Sequence, residues 1–295
     1  MKRKVAVMLL VRPLILATLM VLPGGAQSVS DRFRENYATW EKRLEKGDGS
    51  GVRKAAEAVI QKEGAAVNPS DYNEMRALVG AMDVAARACV LDGAWEDAVL
   101  YLQKASSTAA ENLNNAEATF GKVRKEHEQK LQDWKGAVAQ QEKRLKDLEA
   151  QPGLTEAQMK LRGQIRAFLE EHRTAIDHSE KALKEIDGLL SQIRNVRVAY
   201  EKSLEEWKTF LEKEKLEISQ VGSSAKYVAE KLPQVRVDET KPFFDRLAYA
   251  RRLKRLDPSN PGCAEFVSSL AGSEESTPTK DASPAKAKKK SSKRR

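Results

Sequence analysis

Very little of this 295-residue chain is aromatic: Phe, Trp and Tyr together make up 6% of it. No run of alternating Val, Ile and Thr marks a strand. A compact α/β enzyme of this length would carry more of both, so a sheet-based domain is not expected. The short motifs that bring chemistry are missing as well. There is no Gly-rich phosphate loop, no His-Glu-x-x-His, no Gly-x-Ser-x-Gly and no Cys-x-x-Cys. Acidic residues are plentiful, but the helical pattern puts each on a solvated face and singles out none as a general acid. Enzymatic activity, a cofactor and a small-molecule substrate are therefore not expected.

Cysteine is scarce, with Cys89 and Cys263 the only two. In an oxidising compartment they form a candidate disulfide. The other reading is two small buried side chains in helix packing, and sequence cannot supply the Cα separation that decides. Of the three histidines, His127 and His172 fall on an apolar stripe and His178 lies near it. A metal site would need further ligands such as Glu126 or Asp177 in the right geometry. Polar residues in a helical seam more often set its register, so no metal is expected.

Lys, Glu, Ala, Leu and Arg dominate instead, the composition of long helices. The net charge of +9 resides at the ends. Lys2, Arg3, Lys4 and Arg12 precede residue 27, and the tail from Gly272 holds eight bases against three acids. The body from Gln27 to Ala271 carries no net charge, which argues against a body-wide nucleic-acid surface.

The basic start is followed by a nine-residue apolar run, Leu14 to Leu22, and then by Pro23-Gly24-Gly25-Ala26. That order is the pattern of a signal peptide, with cleavage expected after Ala26. The run is less than half the roughly 20 residues needed to span a membrane. The mature chain is expected outside the cytoplasm, periplasmic or secreted.

Phe33, Tyr37, Trp40 and Leu44 predict a first helix over 31–45, ended by a flexible Gly47–Gly51 turn. A second helix is expected over 52–63. A third runs from an Asp71 cap, with Glu74 at capping-box spacing, to Leu91. Gly93-Ala94-Trp95-Glu96-Asp97-Ala98 then opens another helix, with Ala86 on one side of the turn and Ala98, Leu102 and Ala105 on the other. This stretch of about 40 residues, Met82 to Ala105 with the loop Leu256-Asp257-Pro258-Ser259-Asn260-Pro261, resembles the tetratricopeptide repeat (TPR). The resemblance implies helix-pair flanks that bind peptides or helices.

From Ala94 to Ala150 there is no proline, and Leu113, Ala116, Phe120, Val123, His127 and then Leu131, Trp134, Val138, Gln141, Leu145, Leu148 step by three and four. After Gln151-Pro152-Gly153 and a Thr155 cap, Leu161, Ile165, Phe168, His172 and then Ile176 to Leu211 do the same. Each stripe is interrupted once by a second consecutive four, at His127–Leu131 and at His172–Ile176, a stutter that unwinds a heptad coil locally. The two stutters lie symmetrically about the Pro-Gly turn. An antiparallel coiled-coil hairpin follows, pairing Trp134 with Leu169, Phe120 with Leu183, Leu113 with Leu190 and Trp95 with Trp207. Each arm would be roughly 80–95 Å long. A short helix over 225–232 stopped by Pro233 and another over 242–256 are expected to pack back on the amino-terminal segment.

The expected architecture is thus all-α, a long antiparallel coiled-coil hairpin with TPR-like flanks: a leader 1–26, a helical segment 27–93, the hairpin 94–218 with its turn at 151–154, carboxy-terminal helices 219–271, and a basic tail 272–295. The tail has too few apolar residues for a core and is expected to be disordered. The functional expectation is an exported structural or adaptor protein of the bacterial cell envelope with a protein partner. The alternative is binding of an anionic polymer, lipid head groups or nucleic acid through Lys286, Lys288, Lys289, Lys290, Lys293, Arg294 and Arg295.

Overall fold

The computed structural model describes residues 29–69, 71–238 and 242–272. The expected leader, and the tail bases from Lys286 to Arg295, lie outside the described residues. Among those residues the chain is all-α, with eight helices and no strand: α1 Val29–Glu45, α2 Gly49–Gly64, α3 Tyr72–Leu91, α4 Trp95–Glu149, α5 Glu156–Val221, α6 Ser224–Val237, α7 Phe243–Leu256 and α8 Pro261–Gly272.

The helix ends follow from local chemistry. Thr155 caps α5, its hydroxyl accepting from the Gln158 N–H while Gln158 Oε1 accepts from the Thr155 N–H, a reciprocal capping box. Asp71 caps α3 by accepting from the N–H groups of Asn73 and Glu74. Glu74 does not reciprocate as its spacing suggested; its carboxylate accepts from the Asn68 N–H at 2.8 Å and ties down the incoming loop. At the end of α3 the Ala94 N–H reaches back to Cys89 O and the Gly93 N–H to Val90 O. This Schellman turn puts Gly93 at φ 69°.

Two helix boundaries differ from the sequence expectation. The Gly47–Gly51 segment is not a flexible turn, because only Lys46 to Asp48 lies outside helix and α2 already starts at Gly49. Asp48 accepts from the Gly51 N–H at 2.9 Å and starts that helix. A Cβ at Gly49 would sit 2.8 Å from Ala88 O, so this glycine serves close packing against α3. Nor does Pro233 stop α6, which runs on to Val237. Leu232 and Val235 are buried in the same core cluster on either side of the proline, and the Gln234 side-chain Nε2 donates to Glu230 O. Packing there outweighs the lost backbone donor.

One core cluster draws on α1, α2, α3, α6, α7 and α8, with Trp40, Leu44, Val52, Val84, Val228 and Leu253 among its buried members. A second joins α3 to the base of the hairpin through Val79, Met82, Ala86, Leu102, Ala105 and Tyr200. Small alanines let these helices approach closely. α3 lies along α4 until Tyr72 packs beside Phe120. Past that point the next seam cluster is built by α4 and α5 alone, from Val138, Ile165, Leu169, Leu145, Leu148 and Ile176.

The two long helices pair antiparallel, since partners advance along α4 as they retreat along α5. Trp95 meets Trp207 with ring centroids 5.8 Å apart, and Leu113 shares a cluster with Leu190. Ion pairs continue the ladder: Glu117–Arg194 at 2.8 Å, Arg124–Asp187 at 3.1 Å, Lys135–Glu180 at 2.8 Å, Glu142–Arg173 at 2.6 Å and Glu149–Arg166 at 2.6 Å. Toward the tip Leu169 clusters with Val138 in place of Trp134, about one turn further out than the symmetry of the stutters implied. The reversal is centred later than that symmetry suggested because α4 ends at Glu149 while α5 waits for the Thr155 cap.

Candidate functional site

α7 carries two adjacent arginines into the junction between the base and the hairpin. Arg251 Nη1 donates to Gly47 O at 2.8 Å, to Leu91 O at 3.3 Å and to Asp92 Oδ1 at 3.3 Å. It places a cation at the carbonyl ends of α1 and α3, where helix dipoles favour positive charge. Arg252 is 4% exposed and turns the other way. It donates to Glu214 on α5, with Nη2 2.5 Å from Oε2, and to Glu96 in the first turn of α4, with Nη1 2.7 Å from Oε2. Burial opposes the Arg252 charge, but the two carboxylates outweigh it and raise its pKa. The carboxylates diverge although they share a partner. The hydrogen bond from Arg252 lowers the exposed Glu96, whereas burial raises Glu214 despite the same arginine.

The Arg252 guanidinium also lies 5.1 Å from the centre of the Trp95 ring, itself enclosed edge-to-face by Trp207, Phe210 and Tyr249. The Trp95 indole N–H donates to Val90 O at 3.1 Å. A cleft of about 190 Å³ reaches Glu214 from outside, walled by Phe210, Glu217, Tyr227, Lys231 and Tyr249. Its groups pair with one another: Lys231 Nζ is 2.9 Å from Glu217 and 5.4 Å from the centre of the Tyr227 ring. The cluster's chemistry is to lock α4, α5 and α7 in one geometry.

A second charged cluster joins α1, α3 and α5. Arg87 grips Glu41 with both terminal guanidinium nitrogens, Nη1 to Oε1 and Nη2 to Oε2, the latter at 2.8 Å. Asp83, one turn earlier on α3, is 5% exposed, and burial pushes its carboxyl up to about 6, partly offset by Arg87 and reinforced by Glu41. Tyr200 of α5 lies beside it and burial raises its hydroxyl far above the ordinary value. Asp83 Oδ1 and the Tyr200 hydroxyl both lack a partner in hydrogen-bond geometry. Sequence reasoning passed over this pair. The available signal was an Asp and an Arg at i, i+4 inside the otherwise apolar stretch Ala77–Leu91.

The residues singled out from sequence fall as follows. Cys89 and Cys263 are both buried free thiols, and the candidate disulfide is not formed. Cys89 packs with Trp95, Ala98 and Leu211, whereas Cys263 packs in the other core cluster with α6 and α7. Burial pushes the Cys89 thiol up to about 12. His127 does not approach His172. Its Nδ1 lies 3.2 Å from Ser179 Oγ across the seam, while His172 Nδ1 lies 3.0 Å from Phe168 O and its ring stacks on Phe168 at 3.7 Å. Among the described residues no group of three His, Cys, Asp or Glu side chains is arranged to hold a metal, and no helix is long and apolar enough to cross a membrane.

Comparison with known proteins returns no match to a family model, a curated protein or a solved structure.

Proposed function

We propose that this protein is a structural or adaptor protein whose two-helix arm docks a protein partner while the base, with its repeat-like flanks, anchors the arm. The observation that carries the reading is the arm beyond Phe120. α4 continues from Gly121 to Glu149, about 43 Å at 1.5 Å per residue, with α5 as its neighbour and the ion-pair ladder fixing one register. Two exposed charged flanks on a long register-locked coil suit recognition by another helix or bundle. The Schellman turn at Gly93 and the alanine-lined contact of α3 with α4 support the TPR-like description of the flank. Export to the cell envelope rests on the basic and apolar pattern of residues 1–26.

The reading is tested by placing a photo-crosslinking amino acid at exposed arm positions Ala139, Lys160 and Thr174, and at Leu100 on the base, in the producing cell. One partner captured from the arm positions is expected. Capture only from position 100, or none from the arm, overturns it. A second reading, polyanion binding, rests on the eight bases past Gly272. It requires salt-sensitive binding that disappears when the chain is cut there.

A further inference from the structure

Where the base hands over to the arm, the segment leading into α3 crosses α4 and leaves a cleft of about 270 Å³. At roughly 30 Å³ per liquid water this is room for about nine waters, enough for one pyranose ring with its hydroxyls. Asn68 and Tyr72 line it from the α3 side, and Asn112, Asn115, Thr119 and Phe120 from α4. Asn112, Asn115 and Thr119 follow at i, i+3 and i+7, so they share one face of α4. The Asn115 amide donates to Pro69 O at 2.9 Å and holds the crossing segment on the helix.

Asn112 is different. It is 5% exposed, faces the cleft, and its side-chain amide has no hydrogen-bond partner among the described residues. Its amide atoms still reach the solvent in the cleft, because neither is among the fully enclosed polar atoms that lack a partner. Its donor and acceptor are thus available to whatever fills the cleft. No lysine or arginine is among the described residues that line the site; the nearby Arg76 guanidinium lies over the Tyr72 ring, 6.0 Å from its centre, and donates to the Tyr72 hydroxyl rather than lining the cleft. The one carboxylate, Asp71, spends Oδ1 on the Asn73 and Glu74 N–H groups. Half-buried Tyr72 and Phe120 add aromatic surface beside the amides.

We propose that this cleft is a binding subsite for one ring of an uncharged saccharide. Amide groups carry a donor and an acceptor side by side, matching vicinal hydroxyls, which both give and take hydrogen bonds. The aromatic side chains offer an apolar surface to the C–H face of the ring. The site is independent of the arm's docking role, since it uses the face of α4 turned toward the α3 segment.

The test is saturation-transfer NMR of the full chain with glucose, N-acetylglucosamine and their β-1,4-linked dimers, alongside glucuronic acid and a neutral Gly-Ser peptide. Contacts to at least one neutral sugar are expected, with weak, millimolar affinity. Asn112→Leu removes this amide from the cleft and should lower that affinity at least about tenfold, as loss of roughly 1.4 kcal/mol requires. Thr119→Lys on the exposed rim should weaken binding similarly at unchanged melting temperature. The proposal is overturned if the wild-type chain binds no neutral sugar, if both variants bind as the wild type does, or if the peptide or glucuronic acid binds in preference.

Discussion

Lowering the pH from 7 to 5 should stabilise this protein through Asp83, the opposite of what an ordinary paired carboxylate does. Burial lifts the Asp83 carboxyl from 3.8 to about 6. The folded state therefore holds a proton that the unfolded chain releases between those two values. The contribution is complete below pH 3.8 and is lost as pH rises through 6, costing on the order of 3 kcal/mol at pH well above that. Integrated from pH 7 down to 5, the gain is about 1.3 kcal/mol. Urea unfolding of the full chain at both pH values, compared with Asp83→Asn, isolates this group, because other carboxylates titrate equally in both proteins. Wild type should gain about 1 kcal/mol more than the variant on acidification, and the variant should be the more stable protein at pH 8. Equal pH dependence in the two proteins, or a wild type that weakens more on acidification, would refute the assignment of a buried, charge-penalised carboxylate at this position.

Other outcomes follow from named contacts. Gly93→Ala combines a left-handed backbone with a Cβ driven into the backbone of Arg251 and Arg252; a loss of roughly 3 kcal/mol is expected by denaturant unfolding, and a loss under about 0.5 kcal/mol would mean the α3–α4 turn does not abut α7. Arg252→Met strands Glu214 and should cost about 3–5 kcal/mol, with most of it recovered in Arg252→Met/Glu214→Leu; simple additivity in that double-mutant cycle would contradict a buried pair. On the arm, Val138→Ala should lower stability by about 1–2 kcal/mol, whereas Arg173→Ala, at an exposed ion pair, should cost less than about 1 kcal/mol. Small-angle scattering should give a maximum dimension of about 100 Å, the length of the 66-residue α5, and a compact particle would mean that the arm folds against the base.

Much of the local structure was legible because it depends on neighbours in sequence. The apolar steps of three and four located the long helices, Thr155 marked the start of α5, and Pro152-Gly153 marked the reversal. Errors arose where a local signal was overruled from a distance. Gly49 looked like a hinge until Ala88 and Asp92 were seen pressed against it. Pro233 looked like a stop, yet buried Leu232 and Val235 carry α6 through it. Near the tip the hairpin pairing is displaced by about a turn, with Leu169 clustering with Val138.

The candidate sites were less legible still, since each is assembled from elements far apart in the chain. Arg252 meets Glu96 and Glu214 across separations of 156 and 38 residues, and Asp83 meets Tyr200 only once α3 packs along α4 and the Tyr200 side chain reaches in from α5. The unpaired Asn112 reads in sequence as one more polar position on a helix. Sequence alone determined the all-α class and the pairing of two long helices, because periodicity and capping act within a few residues. Only the tertiary structure decided which charges are buried, which thiols stay apart and which amide is left without a partner, because burial is a property of the elements that happen to close over a residue.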